Sequence, residues 1–204
     1  MPESTYALPR LDRAALLRRG GAALLTTGAA GALLAGPAAA AAVPDNDLAY
    51  LRLLIGAELL AADVQSRALA SGKLAAPATA ALKQMAADEG AHYAGLANLV
   101  TAAGQTPATS DDIDFAYPKK TFTSQSSILR AAWTIESLTL GAYLGAVENV
   151  QTPQLRLPVG QIAANEAQHL SALAPMLGRP AIGHAFAPSL SIAAVTAALD
   201  EYES

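Results

Sequence analysis

The sequence predicts an all-α fold: a four-helix bundle built from two helical hairpins joined by a long non-helical link, plus a short C-terminal helix. Three observations carry this. Hydrophobic residues make up 52% of the chain and aromatics only 5%, and much of the apolar content is Ala and Leu, which favours helices packed on helices. Four stretches show a helical apolar period between Gly and Pro breakers. The second pair of stretches repeats the first at a nearly constant offset.

Taken in order, the first helix is expected over residues 47–70, closing at Ser71-Gly72. The second runs from Pro77, a good first-turn residue, to Ala103-Gly104. Residues 105–124 are polar, hold Pro107 and Pro118, and read as a long non-helical link. A third helix is expected over 126–150, stopping before Pro153, and a fourth over 157–177, ending at Gly178 and Pro180. Residues 189–202 read as a short amphipathic C-terminal helix.

The apolar seam of the second helix runs Leu82, Met85, Glu89, His92, Leu96, Leu99, the four-three spacing of a face turned into a bundle. In the fourth helix the matching residues are Val159, Ile162, Glu166, His169, Leu173 and Met176, so the same polar pair interrupts the same seam. In the first and third helices, Leu51, Ile55, Glu58, Ala62 and Leu69 correspond to Leu129, Trp133, Glu136, Leu140 and Val147. The chain is thus two copies of a helix–turn–helix unit.

In a Glu-x-x-His pair the two side chains lie one turn apart on one helix face, so Glu89/His92 and Glu166/His169 can each offer an oxygen and a nitrogen to one ion. With 8 Glu in 204 residues, two of the three His would each follow a Glu at this spacing by chance about 0.5% of the time. Glu58, Glu89, Glu136 and Glu166 each stand some 12–14 residues from the turn of their hairpin, or roughly 18–20 Å at helical rise. Packed face to face, the two units would bring four Glu and two His to one level. Four buried carboxylates without counter-charge are costly, and two divalent cations balance them. Carboxylate and imidazole donors suit iron or manganese, and zinc as well. The blander reading is a protonated or water-filled polar network.

Ahead of these helices, Arg10, Arg13, Arg18 and Arg19 precede an uncharged Ala/Gly/Leu stretch from Gly20 to Pro44. Residues 1–42 therefore read as a signal peptide, and residues 43–204 as the folded domain, exported to the periplasm, cell envelope or exterior. The Arg18-Arg19 pair resembles a twin-arginine signal, although Leu17 and Gly21-Ala22 depart from its pattern. Retention as a membrane anchor is opposed by Pro37 and the low hydrophobicity of Ala and Gly. No stable membrane association is expected after cleavage. Of 13 Lys+Arg and 17 Asp+Glu, four and two lie in residues 1–42, leaving 9 against 15 and a net of −6. With no basic run mixed with aromatics, nucleic-acid binding has little support. The absence of Cys excludes disulfides, thiol nucleophiles and cysteine-ligated metals.

The order Glu58, Glu89-x-x-His92, Glu136, Glu166-x-x-His169 on four successive helices resembles the ligand pattern of the ferritin-like di-iron carboxylate proteins. More narrowly it is similar to exported bacterial ferritin-like domains, some described as desiccation-related. Residues 86–92, 135–146 and 164–169 and the tail 186–202 carry the likeness, which covers about 46–203. It implies a metal site of Glu58, Glu89, His92, Glu136, Glu166 and His169, with Glu89 and Glu166 as bridges, and makes 105–124 the crossover. The implied cofactor is two iron ions, with manganese as the alternative. The implied activity is Fe(II) binding and reaction with oxygen or peroxide. A stress-protective helical protein with a non-catalytic or absent metal site, and a manganese-dependent peroxide-removing enzyme, remain open at this level.

Other polar residues have plainer expectations. Asp88 and its counterpart Asn165 either orient a ligand or lie in solvent, the simpler reading. Tyr143 is expected in the core, with a hydrogen bond near the site as the alternative; Trp133 is likewise expected in the core. Asp63 and His184 are expected at the surface.

Overall fold

A computed structural model describes residues 43–203; the signal-peptide expectation falls on 1–42, outside the described residues. Five helices make up the described chain: α1 (Asp45–Ala70), α2 (Ala76–Ala102), α3 (Gln125–Asn149), α4 (Pro153–Met176) and α5 (Ile192–Asp200). Among the described residues none of these is long and apolar enough to cross a membrane.

Short turns pair α1 with α2 and α3 with α4, and the two hairpins meet chiefly along α1 and α3. Gly72 and Gly104 adopt φ of +66° and +76° just past α1 and α2, the left-handed conformation that closes a helix end and suits glycine. Ser124 caps α3, its hydroxyl accepting from the Ser127 backbone N–H while Ser127 reciprocates.

The fourth helix starts four residues earlier than expected, at Pro153 rather than Leu157, and takes Pro158 into its first turns. Pro158 forfeits one backbone hydrogen bond, but the early turn buries Leu155. The buried carboxylate of Asp47 on α1 anchors the turn before it, accepting from the backbone N–H of Gln151 at 2.7 Å and of Thr152 at 2.8 Å. The C-terminal helix is shorter than the expected 189–202. Its α5 packs on α1 and α3. The preceding Leu190 lies against α3, its N–H donating to the Gly141 carbonyl at 2.9 Å. The crossover is tied down at both faces: Ala116 N–H donates to Tyr202 O at 2.6 Å, and Tyr117 OH to Asp63 Oδ2 at 2.8 Å.

Two apolar clusters flank the middle of the bundle. One, toward the α1–α2 turn, contains Leu82, Met85, Ile128, Leu129 and Leu173. The other contains Leu51, Leu54, Ile55, Leu96, Val100 and Val159. Leu99, Ile162 and Met176 of the expected seams are only partly buried, and Val100 takes the deep position beside Leu99. The polar level lies between these layers.

Candidate metal centre

Helix length sets the level of the site. Glu58 lies 12 residues before the end of α1 and Glu89 13 after the start of α2; Glu136 lies 13 before the end of α3 and Glu166 13 after the start of α4. All four glutamates are fully buried, while His92 and His169 keep side-chain exposures of 11% and 5%. The imidazoles, on the α2 and α4 side, are therefore the least buried of the six residues.

All six residues singled out in the sequence converge. Ligand atoms of Glu58, Glu89, His92 and Glu166 lie within 4.8 Å of one another, and so do those of Glu89, Glu136, Glu166 and His169. Glu89 and Glu166 belong to both groups. Glu89 Oε2 lies 3.3 Å from His92 Nδ1 and Oε1 lies 3.2 Å from His169 Nδ1. Glu166 Oε1 lies 2.9 Å from His92 Nδ1 and Oε2 lies 3.4 Å from His169 Nδ1. Each shared carboxylate thus sends one oxygen to each half, the disposition of a bridge.

Glu58 and Glu136 each serve one half. Tyr143 OH donates to Glu58 Oε1. Gln65 Nε2 donates to Glu136 Oε1 at 2.7 Å and to Glu89 Oε1 at 3.0 Å. Glu136 Oε2 lies 3.2 Å from His169 Nδ1. Glu58 Oε2 and both oxygens of Glu166 are buried without a hydrogen bond. The 2.9 Å approach of His92 Nδ1 to Glu166 Oε1 is close enough for attraction but not directed as a hydrogen bond. Orphaned buried carboxylate oxygens are costly; a cation between Glu58, Glu89, Glu166 and His92 would satisfy Glu58 Oε2 and Glu166 Oε1, and one between Glu89, Glu136, Glu166 and His169 would satisfy Glu166 Oε2. The donor set fits such ions: hard carboxylates with two imidazoles.

In the metal-free centre, protons balance the charge. Burial pushes the Glu58 carboxyl well up despite His92 beside it, and the Glu89 and Glu166 charges add to the shift. Glu136 is raised by burial and by the same two charges. Burial alone would raise Glu89 and Glu166 as well, but the close approach of both histidines outweighs it and lowers them. His92 is disfavoured as a cation by burial, yet Glu166, Glu58 and Glu89 around it push its pKa up to about 12. His169 is raised likewise by Glu136, Glu166 and Glu89. The imidazoles are thus favoured as cations beside Glu89 and Glu166, and protons are favoured on Glu58 and Glu136.

The surroundings hold residues whose roles the sequence did not fix. Asp88 is not a solvent side chain: its Oδ2 lies 3.3 Å from His169 Nε2, and Gln84 Nε2 donates to its Oδ1 at 2.9 Å. Gln65 was not among the residues expected at the site, although it stands seven residues after Glu58, where Tyr143 follows Glu136. Tyr143 satisfies both of its readings, being fully buried and bonded to Glu58. Trp133 is half-buried beneath the Arg179 guanidinium, 4.6 Å from its ring centre. Asp63 pairs with Arg67 at 2.7 Å as well as with Tyr117. His184 is exposed.

Four antiparallel-paired helices with four Glu and two His converging at mid-height define a carboxylate–histidine bundle protein, one whose centre is compatible with two metal ions. The family model described as the ferritin-like domain matches residues 46–179, about two-thirds of the chain, and the protein belongs to that family. No curated protein is similar enough to match the chain.

Proposed function

We propose that Glu58, Glu89, His92, Glu136, Glu166 and His169 hold two redox-active metal ions, preferably iron, and that the protein binds Fe(II) and passes its electrons to peroxide or dioxygen. The observation that carries this is the pair of four-residue groups sharing Glu89 and Glu166. In this reading Glu58 and His92 complete one half, Glu136 and His169 the other, and Glu89 and Glu166 bridge. Bound there, two Fe(II) would supply one electron each, so that peroxide with two protons leaves as two waters and the pair becomes Fe(III).

The chain's own residues favour such chemistry. Tyr143 and Gln65 each occupy one oxygen of a terminal glutamate and leave the other for an ion. The apolar layers above and below keep water out, while the imidazole edges leave a path for a small oxidant. His92 and His169 carry protons in the metal-free state that metal binding releases inside the site.

A structural polar network draws support from the same imidazolium–carboxylate pairing, but it leaves three buried carboxylate oxygens unbonded, which is why the metal reading is preferred. Export is proposed on the composition of residues 1–42 alone. The redox part is tested by loading the protein with Fe(II) anaerobically and adding one equivalent of peroxide per two irons. Rapid appearance of ferric absorbance and loss of peroxide is expected. Loss of neither, with iron still bound, would leave a metal-stapled protein without the reaction.

A further inference from the structure

We propose that the two halves of the centre are inequivalent, and that Asp88 is a positioning residue that makes the His169 half the tighter, first-filled metal position. The inference rests on the two-metal reading above. The chain is a duplication, and the six inner residues obey it: each half has one terminal Glu, one His and a share in both bridges. The next layer out does not obey it.

Asp88 and Asn165 occupy the same place in the repeat, each one residue ahead of its bridging glutamate. Asp88 Oδ2 reaches His169 Nε2 at 3.3 Å, across from its own helix to α4. The Nδ1 of that ring faces Glu89, Glu136 and Glu166 at 3.2 to 3.4 Å. A carboxylate at one imidazole nitrogen holds the N–H there and leaves the other nitrogen as donor to a metal, with the ring already oriented. Asp88 is itself held, since Gln84 donates to its other oxygen at 2.9 Å. On the opposite half Asn165 is a neutral amide, and among the described residues nothing hydrogen-bonds to it or to His92 Nε2. The His92 ring, with 11% of its side chain exposed against 5% for His169, keeps more freedom to lose on binding.

A second asymmetry points the same way. Gln65 clamps two oxygens of the His169 half, on Glu136 and on Glu89. Its repeat partner Tyr143 has one proton to donate and holds Glu58 only. The His169 half is therefore the more preorganised, and it has one more carboxylate beside its imidazole.

The test is stepwise titration of the metal-free full-length protein with Co(II), followed by calorimetry and by visible ligand-field absorption. Two steps are expected, the first at least about tenfold tighter than the second. Asp88→Asn, nearly isosteric at a partly exposed position, should weaken the first step by about 10–100-fold and leave the second within about threefold, so that the steps merge. Asn165→Asp should tighten the second step. Glu136→Gln should abolish the tight step and keep the weak one, with Glu58→Gln doing the reverse. Two-site binding that Asp88→Asn leaves unchanged, or weakens equally at both sites, overturns the inference while the two-metal reading stands. Wild-type protein that keeps its helical circular dichroism and takes up no Co(II) overturns both.

Discussion

Gln65 and Tyr143 stand at the same position of the duplicated unit, and each donates a hydrogen bond to the glutamate of the other unit: Gln65 to Glu136 and Tyr143 to Glu58. The two hairpins are thereby cross-linked at the level of the centre. Both contacts take Oε1 of a fully buried carboxyl and leave Oε2 turned to the interior. One device thus fixes the packing of α1 on α3 and presents the terminal glutamates.

Removing either donor leaves a buried carboxyl oxygen without a partner. Tyr143→Phe, which changes little else in shape, is expected to cost the metal-free protein ~1–3 kcal/mol, and Gln65→Met a similar amount. Chemical denaturation of metal-free protein reads both. A cost near zero would mean that these bonds are replaced by water.

Acidity should stabilise the metal-free fold relative to mild alkali. Glu58 and Glu136 are raised above their ordinary 4.5, so the folded chain holds two protons that the unfolded chain releases above that pH. His92, at about 12 against an ordinary 6.5, and His169, raised in the same sense, hold two more. Stability is therefore lost as pH rises through 4.5 and more steeply above 6.5. Glu89 and Glu166 are lowered and act oppositely, losing their stabilisation as pH falls below 4.5. Thermal melting of metal-free protein should thus give a higher midpoint at a pH of about 5.5 than at about 8. Equal midpoints would show that the centre is not charged in this way.

Metal uptake should release protons. Protons favoured on His92, His169, Glu58 and Glu136 offset the carboxylate charge, and two divalent ions would take their place. Calorimetry in buffers of different ionisation enthalpy is expected to show a net release of about two protons or more per two ions near neutral pH, the two imidazolium protons at the least. Affinity then rises with pH. A release near zero would place the ions elsewhere.

The C-terminal segment depends on two glycines of α3. A Cβ on Gly145 would meet the Leu190 carbonyl oxygen at 2.0 Å, whereas one on Gly141 would meet Leu190 Cδ1, a side-chain atom, at 2.7 Å. Backbone cannot step aside as a side chain can. Gly145→Ala is expected to cost ~1–3 kcal/mol, and Gly141→Ala less, since the Leu190 side chain can turn and helix propensity returns up to about 1 kcal/mol. Thermal denaturation ranks them; the reverse order would mean that Leu190 is not seated as described.

The bundle and its six central residues were legible because each carries a periodic signature. Glu-x-x-His interrupts an apolar seam twice at one offset, and no tertiary information is needed to see it. Gln65 was legible in principle, since the offset that matches Glu58 to Glu136 also matches Gln65 to Tyr143, but a single Gln on a seam has no motif of its own. Asp88 was half legible: its place beside Glu89 allowed ligand orientation, with solvent as the simpler reading. It sits one residue from the inner face, and only the approach of His169 from α4 turns it from a solvent residue into a ring partner. The start of α4 was missed because Pro158 reads as a breaker, while the buried Asp47 that holds the preceding turn is more than a hundred residues away in sequence.

Metal content measures the central claim most directly. The full-length protein and a Glu89→Ala/Glu166→Ala variant, which lacks the two glutamates common to both groups, are purified without chelator, offered Fe(II) or Mn(II), and analysed by plasma mass spectrometry. Close to two ions per chain in the wild type, and loss of both in a variant that remains helical, is the expected result. A helical wild-type protein that holds no metal and cannot be loaded would contradict the two-metal centre and leave the cluster as a protonated polar network.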